Sequence, residues 1–200
     1  NDLEEAGLTL KNSMDILEVS MEVPSLDDTM PDNERLVRAI KKATGASKVR
    51  LPFQVLTKIA RVFRESNFEV RCVIRTSDEG DIFVYDVYPK SEDIVIGGLA
   101  IDIGTTTVSA LLINMLTGEI IGKASAGNGQ IRYGADVINR IIESMKPGGS
   151  EKLQKAVIDE TINPLIQQMC RANGFKPEHI YRMSIAANTT MNHLMAGMEG

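Results

Sequence analysis

Residues 97–127, GGLAIDIGTTTVSALLINMLTGEIIGKASAG, decide the architecture of the second half of this chain. Three apolar stretches, 97–104, 107–115 and 119–127, are separated only by Thr105-Thr106 and by Leu116-Thr117-Gly118. Such short connections allow only antiparallel pairing, because a parallel return needs about a dozen residues or more. The spacing therefore predicts a three-stranded meander. Asp102 stands late in the first strand beside Ala100, Ile101 and Ile103, where a carboxylate is costly to bury without a partner. Gly104 permits a tight turn or a close approach of backbone to a ligand. Thr105, Thr106 and Thr107 bring backbone N–H groups and hydroxyls to the same turn, the kind of cradle an anion needs. Asp102 is placed to hold Mg²⁺ through water, since Mg²⁺ keeps part of its hydration shell. A hairpin whose threonines merely cap the turn is the alternative reading of the same residues.

Downstream, a helix is predicted over 135–145 with Val137, Ile138, Ile141 and Ile142 inward, stopped by Pro147-Gly148-Gly149. Ser150 can cap a longer helix to Asn173, ended by Gly174 and kinked or divided at Pro164. Residues 181–189, YRMSIAANT, read as a buried strand, and a further helix is expected from Met191 to Met198. That strand should run parallel to the first strand of the meander and make the sheet mixed. Three antiparallel strands, a helical crossover and a returning strand resemble the opening of a ribonuclease-H-like half.

Upstream the rhythm differs. Residues 15–23 alternate, with Ile16, Val19, Met21 and Val23 apolar, and predict a strand. Asp32 can cap a helix over 33–42 carrying Leu36, Val37 and Ile40, with Gly45 ending it. Pro52 suits the first turn of a second helix, with Val55, Leu56, Ile59, Val62 and Phe63 at helical spacing. Strands over 68–76 and 81–89 then form a hairpin about Asp78-Glu79-Gly80. The fold class expected is a small α+β domain over 1–96 and an α/β domain with a mixed sheet over 97–200.

Charge is uneven along the chain. Residues 1–34 hold ten acidic side chains against Lys11 alone, and residues 35–75 hold eleven Lys/Arg against Glu65 and Glu69. No interleaved aromatics or nucleic-acid motif accompany the basic stretch, so the acidic segment is expected to pack near the basic helices, without nucleic acid as a partner. Only Cys72 and Cys170 are present, neither in a CxxC pair, and both read as apolar fillers. His179 and His193 lack a partner at ligand spacing and are expected to be ordinary core or surface histidines. There is no GxxxxGK[ST] loop, and Arg132 stands where a dinucleotide fingerprint after Gly127-Asn128-Gly129 wants its third glycine. No apolar run approaches the roughly 20 residues of a membrane span, and the acidic start resembles no signal peptide, which implies a cytoplasmic protein with no membrane partner.

Residues 98–141 resemble the start of the ATPase domain in reductive activators of corrinoid enzymes. These activators belong to the actin-like superfamily of acetate and sugar kinases, heat-shock chaperones and actin. The runs Gly129-Gln130-Ile131-Arg132-Tyr133-Gly134-Ala135-Asp136 and Ala186-Ala187-Asn188-Thr189-Thr190-Met191 carry the more specific part of the likeness. The preceding α+β unit resembles the activators' middle domain. The resemblance implies ATP and Mg²⁺ as cofactors, and ATP-driven reduction of an inactive cobalamin to Co(I). The partner it implies is a corrinoid iron-sulfur or corrinoid methyltransferase protein, with a homodimer as an open option.

By the same resemblance Asp102, Gly104, Thr105, Thr106 and Thr107 serve phosphate, with Asp102 also serving Mg²⁺. Asn188 and Thr189 lie near the γ-phosphate, and Asp136 is either catalytic or simply favourable at a helix start. The electron would come from a ferredoxin-like iron-sulfur domain, which two cysteines cannot supply here. The missing initiator Met and the end at Glu199-Gly200 suggest an excised piece, so this lobe alone should bind ATP weakly. A small-molecule kinase of the same superfamily, or a docking module over residues 1–96, are the alternatives.

Overall fold

The computed structural model of the chain describes residues 14–198. It divides into two compact units, residues 1–96 and 97–200, and each is described by itself.

The first unit runs β1 (Met14–Ser20), α1 (Asp32–Thr44), β2 (Val49–Arg50), α2 (Phe53–Leu56), α3 (Ile59–Glu65), β3 (Glu69–Thr76) and β4 (Ile82–Pro89). Its sheet has the order β1-β3-β4-β2, antiparallel except for the parallel β2–β4 contact. Leu36 and Ile40 of α1 and Val55, Val62 and Phe63 of α2 and α3 pack on Val70, Cys72 and Val84 of the sheet. Alternation in β1 stops at Ser20, and Val23 is 57% exposed, so the strand is shorter than its apolar pattern suggests. The helix after Pro52 is two pieces, not one. The Thr57 hydroxyl donates to the Gln54 carbonyl at 2.9 Å and the Lys58 amide to Val55 at 3.1 Å, tightening the chain and closing α2 early. The two-residue strand β2 had no signal in the sequence.

Part of the charge asymmetry is paired within this unit, while Asp2, Glu4, Glu5 and Lys11 lie outside the described residues. Arg35 on α1 pairs with Asp28 at 2.5 Å, Arg64 on α3 with Asp32 at 2.7 Å, and Arg71 on β3 with Glu18 on β1 at 2.9 Å. A hydrogen bond from the Met30 amide, and then the Arg35 guanidinium, hold the Asp28 carboxyl below its ordinary value. Burial pushes the Cys72 thiol up to about 12, so it stays a protonated apolar filler.

The second unit runs β5 (Gly97–Ile103), β6 (Thr107–Asn114), β7 (Ile120–Gly127), a 3₁₀ turn (Gly129–Arg132) and α4 (Val137–Ser144). It continues with α5 (Gly149–Val157), a π turn (Ile158–Ile162), α6 (Asn163–Ala172), a 3₁₀ turn (Pro177–His179), β8 (Ile180–Ala187) and α7 (Thr189–Met195). The strand order is β7-β6-β5-β8: the predicted meander is antiparallel, and β8 runs parallel to β5 with Asp102 opposite Ala186. Leu99, Ile101, Ile103, Val108 and Leu112 pack under Leu153, Val157, Leu165, Met169 and Leu194 of the helices. On the other face Ala100, Asp102, Ser109, Lys123 and Ser125 are exposed.

Three expectations are corrected here. The helix predicted over 150–173 is broken at the π turn, one residue before α6 begins, not at Pro164 itself. Pro164 brings no N–H and its ring would strike the carbonyl four residues back, so widening the preceding turn accommodates it. The last strand ends at Ala187 rather than 189, because Asn188 caps α7. In α4, Ile138 and Ile142 are 64% and 53% exposed and do not face inward. The inward row is Val137, Arg140, Ile141 and Ser144, because the buried position between the two aliphatic residues is taken by a guanidinium with work to do elsewhere.

Among the described residues no helix is long and apolar enough to cross a membrane.

Candidate anion-binding site at the first turn

Residues 104–106 connect β5 to β6. The Gly104 amide donates to the Thr107 carbonyl at 2.9 Å. A Cβ at Gly104 would stand 2.8 Å from that same oxygen, so only glycine fits. The three carbonyls of the turn are then held one after another from a single network. Asn128 Nδ2 donates to the Gly104 carbonyl at 2.9 Å, Arg140 Nη2 to the Thr105 carbonyl at 2.6 Å, and the Asn128 amide to the Thr106 carbonyl at 2.8 Å. In a planar trans peptide the carbonyl and the next N–H point in opposite directions. Anchoring the Gly104 and Thr105 carbonyls therefore turns the amides of Thr105 and Thr106 away from the network. Among the described residues neither amide donates to a protein acceptor. Two adjacent free N–H groups on a fixed turn are the kind of donors that anion-binding concavities are built from.

The network is itself buried and satisfied. Asn128 is 1% exposed, and its Oδ1 accepts the Gln130 amide at 3.0 Å. Gln130, fully buried, donates from Nε2 to the Leu153 carbonyl at 2.9 Å and accepts Arg140 Nη1 at 3.3 Å. Arg140 is 0% exposed, and its Nε donates to the Gly134 carbonyl at 2.9 Å. Gly129 reaches the helical layer, its amide donating at 3.0 Å to Thr161 Oγ1, and that hydroxyl donates to the Ala156 carbonyl at 2.8 Å inside the widened π turn.

A methyl group on Gly129 would lie 2.8 Å from the Ala156 carbonyl and 2.9 Å from Thr161 Oγ1. Gly129→Ala is accordingly expected to destabilise the chain by about 1–3 kcal/mol, as overpacking does. A melt unchanged from wild type would show that the 3₁₀ turn moves freely off the helix.

Asp102 projects from the open face of the sheet. It is exposed, and among the described residues it has no hydrogen-bond or ion-pair partner. The penalty for burying a lone carboxylate in an apolar strand therefore does not arise. The side chain borders a shallow depression of about 580 Å³ lined by Ala100, Asp102, Ser109, Lys123, Ser125 and Ala186.

The remaining predicted residues divide by register. Ile103 lies opposite Ala187, so Asn188 and Thr189 emerge at the same end of the sheet as Gly104. Asn188 is nevertheless engaged as the cap of α7, its Oδ1 accepting the Met191 amide at 2.9 Å, while Thr189 is exposed. Asp136 caps α4 with both oxygens, accepting the Asn139 amide and side-chain amide at 2.8 Å each. Thr107 opens β6 opposite Gly127 with its side chain exposed.

Asn128, Gln130 and Arg140 were not singled out from the sequence as site residues. The signal was nonetheless present: three polar residues at or beside a stretch already notable for its family likeness, one of them on the inward row of α4.

Cys72 and Cys170 are both buried and belong to different units, and among the described residues no group of three or more His, Cys, Asp and Glu side chains converges. These residues do not fit an iron-sulfur cluster, which takes four thiolates.

The strand order with β8 parallel to β5, and a glycine-threonine turn at the head of the first hairpin, define a ribonuclease-H-like half of the actin-like kind. The chain belongs to the RACo family: the RACo linker region matches residues 3–93 and the RACo middle region matches residues 97–200. In the family's own terms the first unit is thus the linker, and "middle" names the second. The corrinoid activation enzyme RamQ of Eubacterium limosum is 31% identical over 144 residues, which are 71% of this chain and 23% of that protein. A solved structure of a reductive activator for a corrinoid, iron-sulfur protein matches with a TM-score of 0.76 and 33% identity, over 96% of this chain and 30% of that one. This chain spans less than a third of either relative's length.

Proposed function

We propose that residues 97–200 form one wall of an MgATP site in a protein that drives the reduction of an inactive corrinoid to Co(I). The observation that carries this reading is the turn at 104–106, where anchored carbonyls leave the Thr105 and Thr106 amides free beside an exposed, unpartnered Asp102. The amides and hydroxyls of the turn would hold phosphate, and Asp102 would hold Mg²⁺ through water. Mg²⁺, when bound, neutralises phosphate charge. Thr189, at the same end of the sheet, completes the rim. Asp136 and Asn188 serve this site first as helix caps that fix the elements around it. The membership of both units in one activator family favours this reading over a small-molecule kinase.

The partner is a corrinoid protein, and the electron comes from an iron-sulfur domain outside these residues. The protein works in the cytoplasm, and a homodimer is the assembly we propose.

The test is MgATP titration of the intact protein, followed by corrinoid reduction measured with and without ATP. A protein that binds no MgATP, or reduces its partner equally well without it, would remove the basis for this function. Thr106→Ala is expected to lower ATP-dependent reduction by only about 3–10-fold, since it deletes one hydroxyl and leaves both amides in place. A complete loss would mean that the hydroxyl, rather than the backbone, is the main phosphate donor.

A further inference from the structure

We propose that Arg140 is the positioning residue of the phosphate turn, presetting the Thr105 and Thr106 amides for a nucleotide's phosphate chain and backing them with its positive charge. The inference rests on the reading that this turn grips phosphate.

Among the described residues Arg140 is the largest fully buried side chain, and no carboxylate forms an ion pair with it. Every partner of its guanidinium among the described residues is neutral: the carbonyls of Gly134 and Thr105, Gln130 Oε1 and Met191 Sδ. A guanidinium keeps its charge even when buried, and an isolated buried charge is expensive. The nearby Asp136 carboxylate opposes the downward pull of burial on the Arg140 pKa, but its oxygens accept from Asn139 and it makes no ion pair with the guanidinium.

A residue chosen only for packing would be aliphatic here, as its neighbours Val137 and Ile141 on the inward row are. What the guanidinium adds is reach and planarity. Its fork spans from the Gly134 carbonyl to the Thr105 carbonyl and fixes the peptide whose opposite end is the Thr106 amide. The positive charge one hydrogen bond behind that peptide polarises it, making its N–H a better donor to an anion. A guanidinium hydrogen-bonded only to neutral groups, behind a turn with free amides, suits a ligand that brings negative charge of its own. A di- or triphosphate does so.

The experiment uses the intact protein, with Arg140→Lys and Arg140→Met beside wild type. MgATP and adenosine are titrated separately by calorimetry, and each variant is melted. A positioning role predicts that Arg140→Met loses about 100-fold in MgATP affinity and Arg140→Lys about 10-fold, because lysine keeps the charge but lacks the planar fork that spans both carbonyls. Adenosine affinity should stay within about twofold of wild type in both, since the nucleoside carries no phosphate for the turn to grip.

Arg140→Met strands buried acceptors, so if it melts before it can be titrated, the lysine variant alone decides. Equal losses for adenosine and MgATP would make Arg140 a purely structural residue. Wild-type MgATP affinity in Arg140→Lys would equally overturn the proposal. If instead the wild-type protein binds no MgATP, the functional reading fails first, and this inference falls with it.

Discussion

Asp102→Asn in the intact protein is expected to reduce ATP-dependent corrinoid reduction by more than about 100-fold while leaving the melting temperature where it was. The two halves of that result come from different observations. Asp102 is exposed on the open face of the sheet and makes no hydrogen bond or ion pair with the described residues, so the fold loses nothing when its charge is removed. A substitution of that kind typically changes stability by no more than about 0.5 kcal/mol. Asparagine keeps the size of the side chain and an accepting oxygen. It lacks the charge that a hydrated Mg²⁺ beside a phosphate chain requires. Rates with and without ATP, read together with a thermal melt, separate the outcomes. A variant that reactivates its partner at the wild-type rate would reduce the turn to a structural hairpin, and a variant that melts early would mean the carboxylate has a protein partner after all.

Asn128→Ala is expected to do the reverse and act through the fold. Its side chain donates to the Gly104 carbonyl at 2.9 Å and accepts the Gln130 amide at 3.0 Å, and the residue is 1% exposed. Alanine would leave the buried Gln130 amide and the half-buried Gly104 carbonyl without a partner, and at about 1–3 kcal/mol for a buried group a loss of roughly 2–4 kcal/mol is expected. The Asn128 amide still holds the Thr106 carbonyl, which keeps the hairpin paired. With the Gly104 carbonyl released, the Thr105 amide no longer has a fixed direction, and MgATP affinity should fall along with stability. Asn128→Asp is the useful companion: it retains the acceptor for Gln130 but cannot donate to Gly104, so it should lose binding more than a shape argument alone predicts. Chemical denaturation and MgATP titration of both variants give the comparison. An Asn128→Ala protein as stable as wild type would show that water takes over both bonds and that the network is not the support described here.

The boundaries of the hairpin, the antiparallel meander and the parallel return of β8 were all legible in the linear order of residues. Connections of two and three residues leave no alternative pairing, and an apolar run after a long helical segment can join the sheet only at one of its edges. The glycine-threonine turn was legible for the same local reason: Gly104 is required where a Cβ would meet the Thr107 carbonyl at 2.8 Å, and Thr105 and Thr106 follow it in sequence. The direction of α4 was not. Four aliphatic residues at positions 137, 138, 141 and 142 permit two overlapping inward faces, and periodicity alone favours the more hydrophobic one.

The sequence by itself determined the sheet, the turn and the family, because each rests on contacts between neighbours in the chain or on motifs a few residues long. Only the tertiary structure decided what holds the turn. Arg140 lies 35 residues from Thr105 and Asn128 lies 24 from Gly104, and Thr161, which seats Gly129, is a further 32 away. Whether such residues meet depends on how the helical layer docks on the sheet. That docking is set by the apolar packing of Leu153, Val157 and Leu165 on β5 and β6, which local pattern does not encode. The same packing turned Asp102 toward the open face, making a carboxylate that seemed expensive in its strand into an exposed and available one.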